Sequence, residues 1–175
     1  MKVLQFFFLY LFWATIILLG MYLFEEICYF RDTRPFCSPL ANVTFLRIRD
    51  DRLGQGYFGA PRSGNRRHLG VDLLAQEGEP VVAVRSGFAQ VAYQQGMGTF
   101  VKVMHPDGLQ TIYGHLSETY LPGKTRVRHG QVIGSVGKSG NAFHRAILPH
   151  LHFEIRNGKR ALDPTPLLEK ALTMP

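Results

Sequence analysis

Apolar residues are concentrated at the start of the chain, where residues 3–24 contain no charged side chain and only two clearly polar ones, Gln5 and Thr15. An α-helix of this length spans about 33 Å, close to the roughly 30 Å hydrocarbon core of a bilayer. Its apolar side chains would cover every side, whereas a helix buried in a soluble domain keeps a polar face. The pattern predicts a transmembrane signal anchor within residues 1–27. A cleaved signal peptide is the alternative, because Lys2 could serve as its short basic region.

Residues 28–52 have mixed polarity, and their prolines oppose a long helix, so we expect a stalk or linker here. Cys28 and Cys37 could form a disulfide outside the cytoplasm, or they could be two unrelated thiols. Asn42 also lies in this segment, and its amide could reach a metal. A single upstream asparagine does not, however, identify an inhibitory ligand.

From about Leu53 the chain changes to short β-branched or alternating runs separated by glycines. The pattern indicates hairpins, with strands predicted at residues 81–84, 88–93, 100–105, 110–116, 131–134 and 151–156. Residues from about Pro164 to Leu172 predict a short helix. We therefore expect a mostly β, antiparallel domain at residues 53–165, with a short helical tail at residues 166–175.

The last predicted strand alternates strictly. Period two places His150, His152 and Glu154 on one face and apolar residues on the other, which belongs in the core. Two imidazoles about 7 Å apart along the strand, beside a carboxylate, are unusual for a plain solvent face.

A second polar cluster precedes the strands. His68 and Asp72 are four residues apart, which puts them on one side of either a helix or a strand, and Gly70 between them allows another group to approach closely. One histidine and one carboxylate here, with one histidine of the alternating strand, would give three nitrogen or oxygen ligands. Three protein ligands with a fourth position open to water are typical of a catalytic zinc site. Taken singly, each of these histidines is more often a hydrogen-bonded structural residue.

The chain carries a formal net charge of +7. The first 30 residues contribute −1 through Lys2, Glu25 and Glu26, so the remaining chain carries +8. A basic surface suits an anionic partner such as an acidic wall polymer. No nucleic-acid-binding motif accompanies it, and we expect no nucleic acid partner.

Taken together, these segments resemble the lysostaphin/LytM family of zinc metallo-endopeptidases, which cut peptide cross-links in bacterial peptidoglycan. The similarity covers roughly residues 53–165, and its blocks stand in family order: Gly56-Tyr57-Phe58-Gly59 with Arg62, His68-Leu69-Gly70-Val71-Asp72, Gly78 to Val84, Gly98 to His105, Gly108 to Leu116, Gly130 to Gly134, and Pro149-His150-Leu151-His152-Phe153-Glu154.

This resemblance implies an antiparallel β groove in which His68, Asp72 and His152 bind Zn²⁺. It also implies that His115 and His150 are the catalytic pair beside the metal. Peptidoglycan lies outside the inner membrane. The catalytic domain is therefore expected to be periplasmic or extracellular, on a single-pass inner-membrane protein whose partners are peptidoglycan peptides.

The chain departs from the family pattern at residues 141–149, which form a longer segment than usual and are expected to rim the groove. Two alternatives remain open. One is a non-catalytic module of the same fold that binds the wall or activates an amidase. The other is a zinc peptidase within an envelope-spanning secretion or pilus machine, with an unidentified protein partner.

Overall fold

The structure is a computed structural model that describes residues 2–32, 34–41 and 43–173. Asn42 and the side chain of Cys28 lie outside the described part. The hypotheses about a Cys28–Cys37 disulfide and about Asn42 therefore stay predictions. The chain divides into two compact units, residues 1–33 and residues 34–175.

The first unit contains helix α1, Lys2–Phe30. Within α1, residues Leu4–Ile27 have a mean hydropathy of 2.1, and this stretch is long and apolar enough to cross a membrane. Its large apolar side chains are exposed on all sides, from Leu4 to Ile27. The predicted apolar helix is confirmed. The same helix would equally suit a signal sequence.

The second unit is built mainly from β-strands and ends in helix α2, Thr165–Thr173. A short 3₁₀ helix, Gly140–Phe143, precedes the last long strand. The strands are β1 (Asp50–Asp51), β2 (Gly54–Gln55), β3 (Pro61–Arg62), β4 (Arg66–Arg67), β5 (Val71–Leu74), β6 (Pro80–Val82), β7 (Gly87–Gln94), β8 (Gly98–Met104), β9 (Leu109–Thr119), β10 (Lys124–Val127), β11 (Val132–Val136), β12 (His150–Asn157) and β13 (Arg160–Leu162).

Among the described residues, nine of these strands form one antiparallel sheet. Six run in the order β10-β7-β8-β9-β11-β6, and β12 joins β9 on one side and β5 on the other, with β13 pairing to its end. The short pairs β1–β2 and β3–β4 lie outside that sheet. The mostly β, antiparallel fold predicted from the sequence is confirmed.

The core lies under the central strands. Val71, Leu73, Leu151, Phe153 and Ile155 are completely or almost completely buried, as their alternation along β5 and β12 requires. Helix α2 adds the buried Leu168, and its first turn is capped because Thr165 N donates to Asp163 Oδ1 at 2.9 Å. This confirms the helix predicted near the carboxyl end.

Residues 34–41 and 43–49 pack as part of the second unit. Phe36 and Leu40 belong to its buried core, and isolated bridges join Leu40 to Val81 and Ile48 to Leu73. The compact unit therefore begins at Arg34, within the segment that the sequence predicted as a linker, residues 28–52. Mixed polarity conceals this because only a few scattered apolar residues of the segment contact the sheet.

Candidate metal centre

The register of strand β12 assembles the site. His152 is paired with Asp72 of β5 on one side and with Gly114 of β9 on the other. Two sequence clusters 80 residues apart thus become direct neighbours, and His115 follows Gly114 at the same place. Antiparallel partners have side chains on the same face, so His152 and Asp72 point to one side of the sheet.

His68 lies between strands β4 and β5, and this position brings its side chain to Asp72 and His152. Its backbone N–H donates to Ala60 O, and its Nδ1–H donates to Tyr57 O at 2.9 Å. The second bond leaves Nε2 as the nitrogen that faces the site. Gly70 passes so close to the backbone of Phe153 that a Cβ there would collide with its carbonyl. The predicted close approach at Gly70 is confirmed.

Three ligand atoms converge. His68 Nε2, Asp72 Oδ1 and His152 Nδ1 lie 2.9 to 3.0 Å from one another. Atoms bound to one tetrahedral zinc at about 2 Å are about 3.3 Å apart, so a small adjustment would admit the ion. All three residues are buried. The set of two imidazoles and one carboxylate fits zinc with one position left open.

The other oxygen of Asp72 is held by two arginines. Arg49 Nη2 donates to Oδ2 at 3.2 Å and Arg62 Nη2 at 3.3 Å. Burial would raise the pKa of Asp72, but hydrogen bonds from His152 and His68 hold it well below its usual range. Arg49 was not singled out from the sequence. It lies in the segment before the strands, where no motif marks it.

The second nitrogen of His152 is also fixed. Its Nε2–H donates to Glu154 Oε1 at 2.9 Å, and Arg156 Nε donates to the other oxygen of Glu154 at 2.6 Å. Burial disfavours the charged imidazole, but the hydrogen bonds to Asp72 and Glu154 outweigh it and raise the pKa of His152 to about 9 without metal. A carboxylate behind a ligating imidazole sets both its tautomer and its orientation.

His115 and His150 stand beside this set. Their rings are 4.9 Å apart, and the ring of His115 is 5.7 Å from that of His152. His150 Nε2 is 3.9 Å from Asp72 Oδ1. The Nδ1–H of His115 donates to Ser139 O and that of His150 to Leu148 O, so both Nε2 atoms are proton acceptors.

The backbone at His115 is unusual. It has φ of 60°, a left-handed conformation that non-glycine residues seldom adopt, and the pairing of β9 with β8 shifts register nearby. This irregularity turns the imidazole toward His150 and His152. Burial, with repulsion from these two histidines, lowers the pKa of His115 to about 3, and burial also lowers the pKa of His150. Both imidazoles are therefore neutral at physiological pH.

A groove of about 510 Å³ opens over the three ligand residues and the two further histidines: His68, Asp72, His152, His115 and His150. Asn141, Ala142 and Ile147 line it, which confirms that the longer segment 141–149 rims the groove. The remaining lining residues include four arginines and several apolar side chains: Arg49, Arg62, Arg66, Arg67, Leu53, Leu69 and Met97. An extended peptide could lie across such an open groove.

The sequence profile of Peptidase family M23 matches residues 66–164, more than half of the chain, and the chain belongs to this family. The catalytic domain of lysostaphin from Staphylococcus simulans has a similar structure. Its TM-score is 0.57 at 31% identity, with coverage of 66% of this chain and 90% of that domain. The lysostaphin-like resemblance drawn from the sequence is confirmed.

Two curated relatives have different activities in their names. The DD-carboxypeptidase/endopeptidase Mpg of Neisseria meningitidis serogroup B is 37% identical over 100 residues, which cover 57% of this chain and 22% of the relative. The murein hydrolase activator EnvC of Escherichia coli is 35% identical over 112 residues, or 63% of this chain and 26% of that protein. The chain thus matches about a fifth to a quarter of the length of these relatives.

Proposed function

We propose that the protein is a membrane-anchored, zinc-dependent endopeptidase that hydrolyses peptide cross-links of bacterial peptidoglycan. One observation carries the proposal. A complete set of three converging ligand atoms lies beside two neutral imidazoles at the floor of an open groove. A purely structural metal site would be closed by a fourth protein ligand.

His68 Nε2, Asp72 Oδ1 and His152 Nδ1 would hold the metal. Zinc in such a set supplies Lewis-acid chemistry, lowering the pKa of water and polarising a peptide carbonyl. His115 and His150 jointly handle protons through their Nε2 atoms, since each Nδ1 is committed to a backbone carbonyl. Together they take one proton from the attacking water and deliver it to the departing amine. While one Nε2 holds that proton, it donates a hydrogen bond to the developing oxyanion.

The compartment follows from the substrate. Helix α1 would hold the protein in the inner membrane, and the second unit would lie in the periplasm or outside the cell, where peptidoglycan is. The names of Mpg and lysostaphin support a peptidase. The net charge of +8 beyond the first 30 residues suits a polymer rich in carboxylates.

The test is digestion of purified sacculi by the zinc-loaded full chain in detergent, with mass spectrometry of the muropeptides. We expect loss of cross-linked dimers, abolished both by chelation and by the variant His115→Asn. Asparagine tolerates the left-handed backbone of His115, so this variant should keep its fold and its zinc. Full hydrolysis by a zinc-loaded His115→Asn protein would contradict the assignment of the catalytic pair.

The similarity to EnvC favours a second candidate, a module that activates a wall amidase. The complete ligand set argues for the enzyme, because a module that acts only by binding needs neither the ligands nor the two imidazoles. If the chain binds zinc but leaves dimers intact, and stimulates a purified amidase on the same sacculi, the activator would replace the peptidase.

A further inference from the structure

We infer that Arg66 and Arg67 form a subsite for a free carboxylate of the substrate, next to the scissile peptide bond. The inference rests on the proposed peptidase function and specifies the substrate class. Both residues form strand β4, directly before the ligand His68, and both line the groove.

The lining of the groove carries more positively charged than negatively charged side chains. Among the residues that the structure describes, this lining contains four arginines and two carboxylates, Asp72 and Glu154. Asp72 is already paired with Arg49 and Arg62, and Glu154 with Arg156. The positive charges at positions 66 and 67 are therefore not neutralised within the lining, and a bound metal would add to the excess.

Arg66 and Arg67 contact only uncharged oxygens. Arg66 donates to Ser63 O at 3.0 Å and to Ser63 Oγ at 3.3 Å, and Arg67 donates to Gly59 O at 3.2 Å. Among the residues that the structure describes, neither guanidinium forms an ion pair with a carboxylate. Both side chains are exposed at the rim, so a ligand can reach them.

The hairpin formed by strands β3 and β4 places two positive charges opposite each other. Arg62 of β3 and Arg66 of β4 are direct cross-strand partners, an arrangement that destabilises a sheet when both residues are charged. Asp72 compensates for Arg62, but among the described residues no carboxylate pairs with Arg66. An anionic ligand on the hairpin would relieve this repulsion, whereas a role in stability alone gives no reason for two further arginines here.

The geometry of the arginine side chain indicates that the bound anion is a carboxylate. The planar guanidinium presents paired N–H donors that match the two oxygens of a carboxylate. Positions 66 and 67 are two residues and one residue from His68, roughly 4 to 8 Å along the backbone, and both side chains line the same groove as the three ligands. We therefore assign the carboxylate to a residue close to the bond that is cut.

A carboxylate at that place has two sources, the free terminus of the peptide or an acidic side chain. Four synthetic peptides, each containing the same D-alanyl bond to be hydrolysed, distinguish these two sources. The residue after that bond is D-alanine with a free terminus, D-alanine amide, D-aspartate amide or D-asparagine amide. Hydrolysis of all four is compared for the zinc-loaded full chain, the double variant Arg66→Gln/Arg67→Gln and the control Arg160→Gln. Arg160 is an exposed arginine on β13 that does not line the groove.

We expect the wild type to prefer at least one carboxylate peptide over its amide. The double variant should lower kcat/KM for that peptide by about tenfold or more, the size expected for lost charged hydrogen bonds, and leave the amide unchanged. Arg160→Gln should change neither. Preference for the peptide that ends in free D-alanine identifies a terminal carboxylate. Preference for the D-aspartate amide peptide identifies a side-chain carboxylate. Equal losses on acid and amide, or no preference in the wild type, would overturn the subsite.

A binding measurement separates failure of the subsite from failure of the proposed function. The same four peptides are titrated calorimetrically into the zinc-loaded His115→Asn protein, with and without the double substitution. If no peptide is hydrolysed but the acid binds more tightly than its amide, and only with both arginines present, the subsite stands and the peptidase function fails. Binding without this discrimination rejects the subsite whatever the activity.

Discussion

The two oxygens of Asp72 face different partners. Oδ1 meets the two ligand histidines, and Oδ2 receives Arg49 and Arg62. The arginines keep Oδ2 engaged and direct a single oxygen to the metal. Spacing along the chain predicted Asp72 as a ligand, because His68 is only four residues away. Arg49 was not predictable in this way, since its contact depends on how a segment 23 residues earlier folds back.

The raised pKa of His152 predicts how the metal-free protein responds to pH. An unfolded histidine has a pKa near 6.5, and that of His152 in the fold is about 9. The stabilisation is fully present below pH about 6.5 and is lost as pH rises through 9, and it is on the order of 3 kcal/mol. Because zinc must displace the proton, zinc affinity should increase over the same interval.

Thermal unfolding of the chelated protein at pH 6.5 and pH 9, with zinc titrations at both, checks this. The variant Glu154→Gln removes one acceptor carboxylate of His152 and should shrink both changes. A chelated protein that becomes more stable toward pH 9 would contradict the role given to His152.

At the scale of elements, strand β12 is the centre of the site. Its alternation was readable in the sequence, and so were most of the hairpins between β7 and β9. Its simultaneous pairing with β5 and β9 was not, because pairing between distant strands leaves no local pattern. The lysostaphin-like resemblance supplied that link, because it implies that His68, Asp72 and His152 bind one metal.

The approach of Gly70 to β12 gives a prediction for these elements. A Cβ at Gly70 would meet backbone atoms of Phe153 and Cγ of Glu154, so β5 and β12 must separate in Gly70→Ala. We expect a loss of about 1–3 kcal/mol in the free energy of unfolding, with weaker zinc binding. The control is Gly96→Ala, which also lines the groove but where a Cβ meets nothing within 4 Å. Chemical denaturation and zinc titration measure both; equal behaviour of the two variants would refute the explanation.

At the scale of the whole molecule, the boundary between the two units matters for function. The match to the family begins at residue 66, and the sequence indicated a domain from residue 53. The compact unit begins at Arg34, and the segment up to Arg49 provides two core residues and one arginine of the metal site. Its irregular apolar spacing explains why the sequence alone did not reveal it.

Two fragments test that boundary. Residues 34–175 keep Phe36, Leu40 and Arg49, and should unfold cooperatively and bind one zinc. Residues 53–175 lack all three and should be far less stable, because removal of each large buried side chain costs about 2–5 kcal/mol.

In the longer fragment, the variant Phe36→Ala isolates the packing contribution of the segment, and the variant Arg49→Gln isolates its contact to Asp72. Urea unfolding gives the stability and zinc titration the affinity. If Phe36→Ala lowers stability and leaves zinc affinity nearly unchanged, while Arg49→Gln alters zinc affinity, the segment acts in both ways. Equal stability and zinc affinity of the two fragments would mean that the domain needs nothing before residue 53.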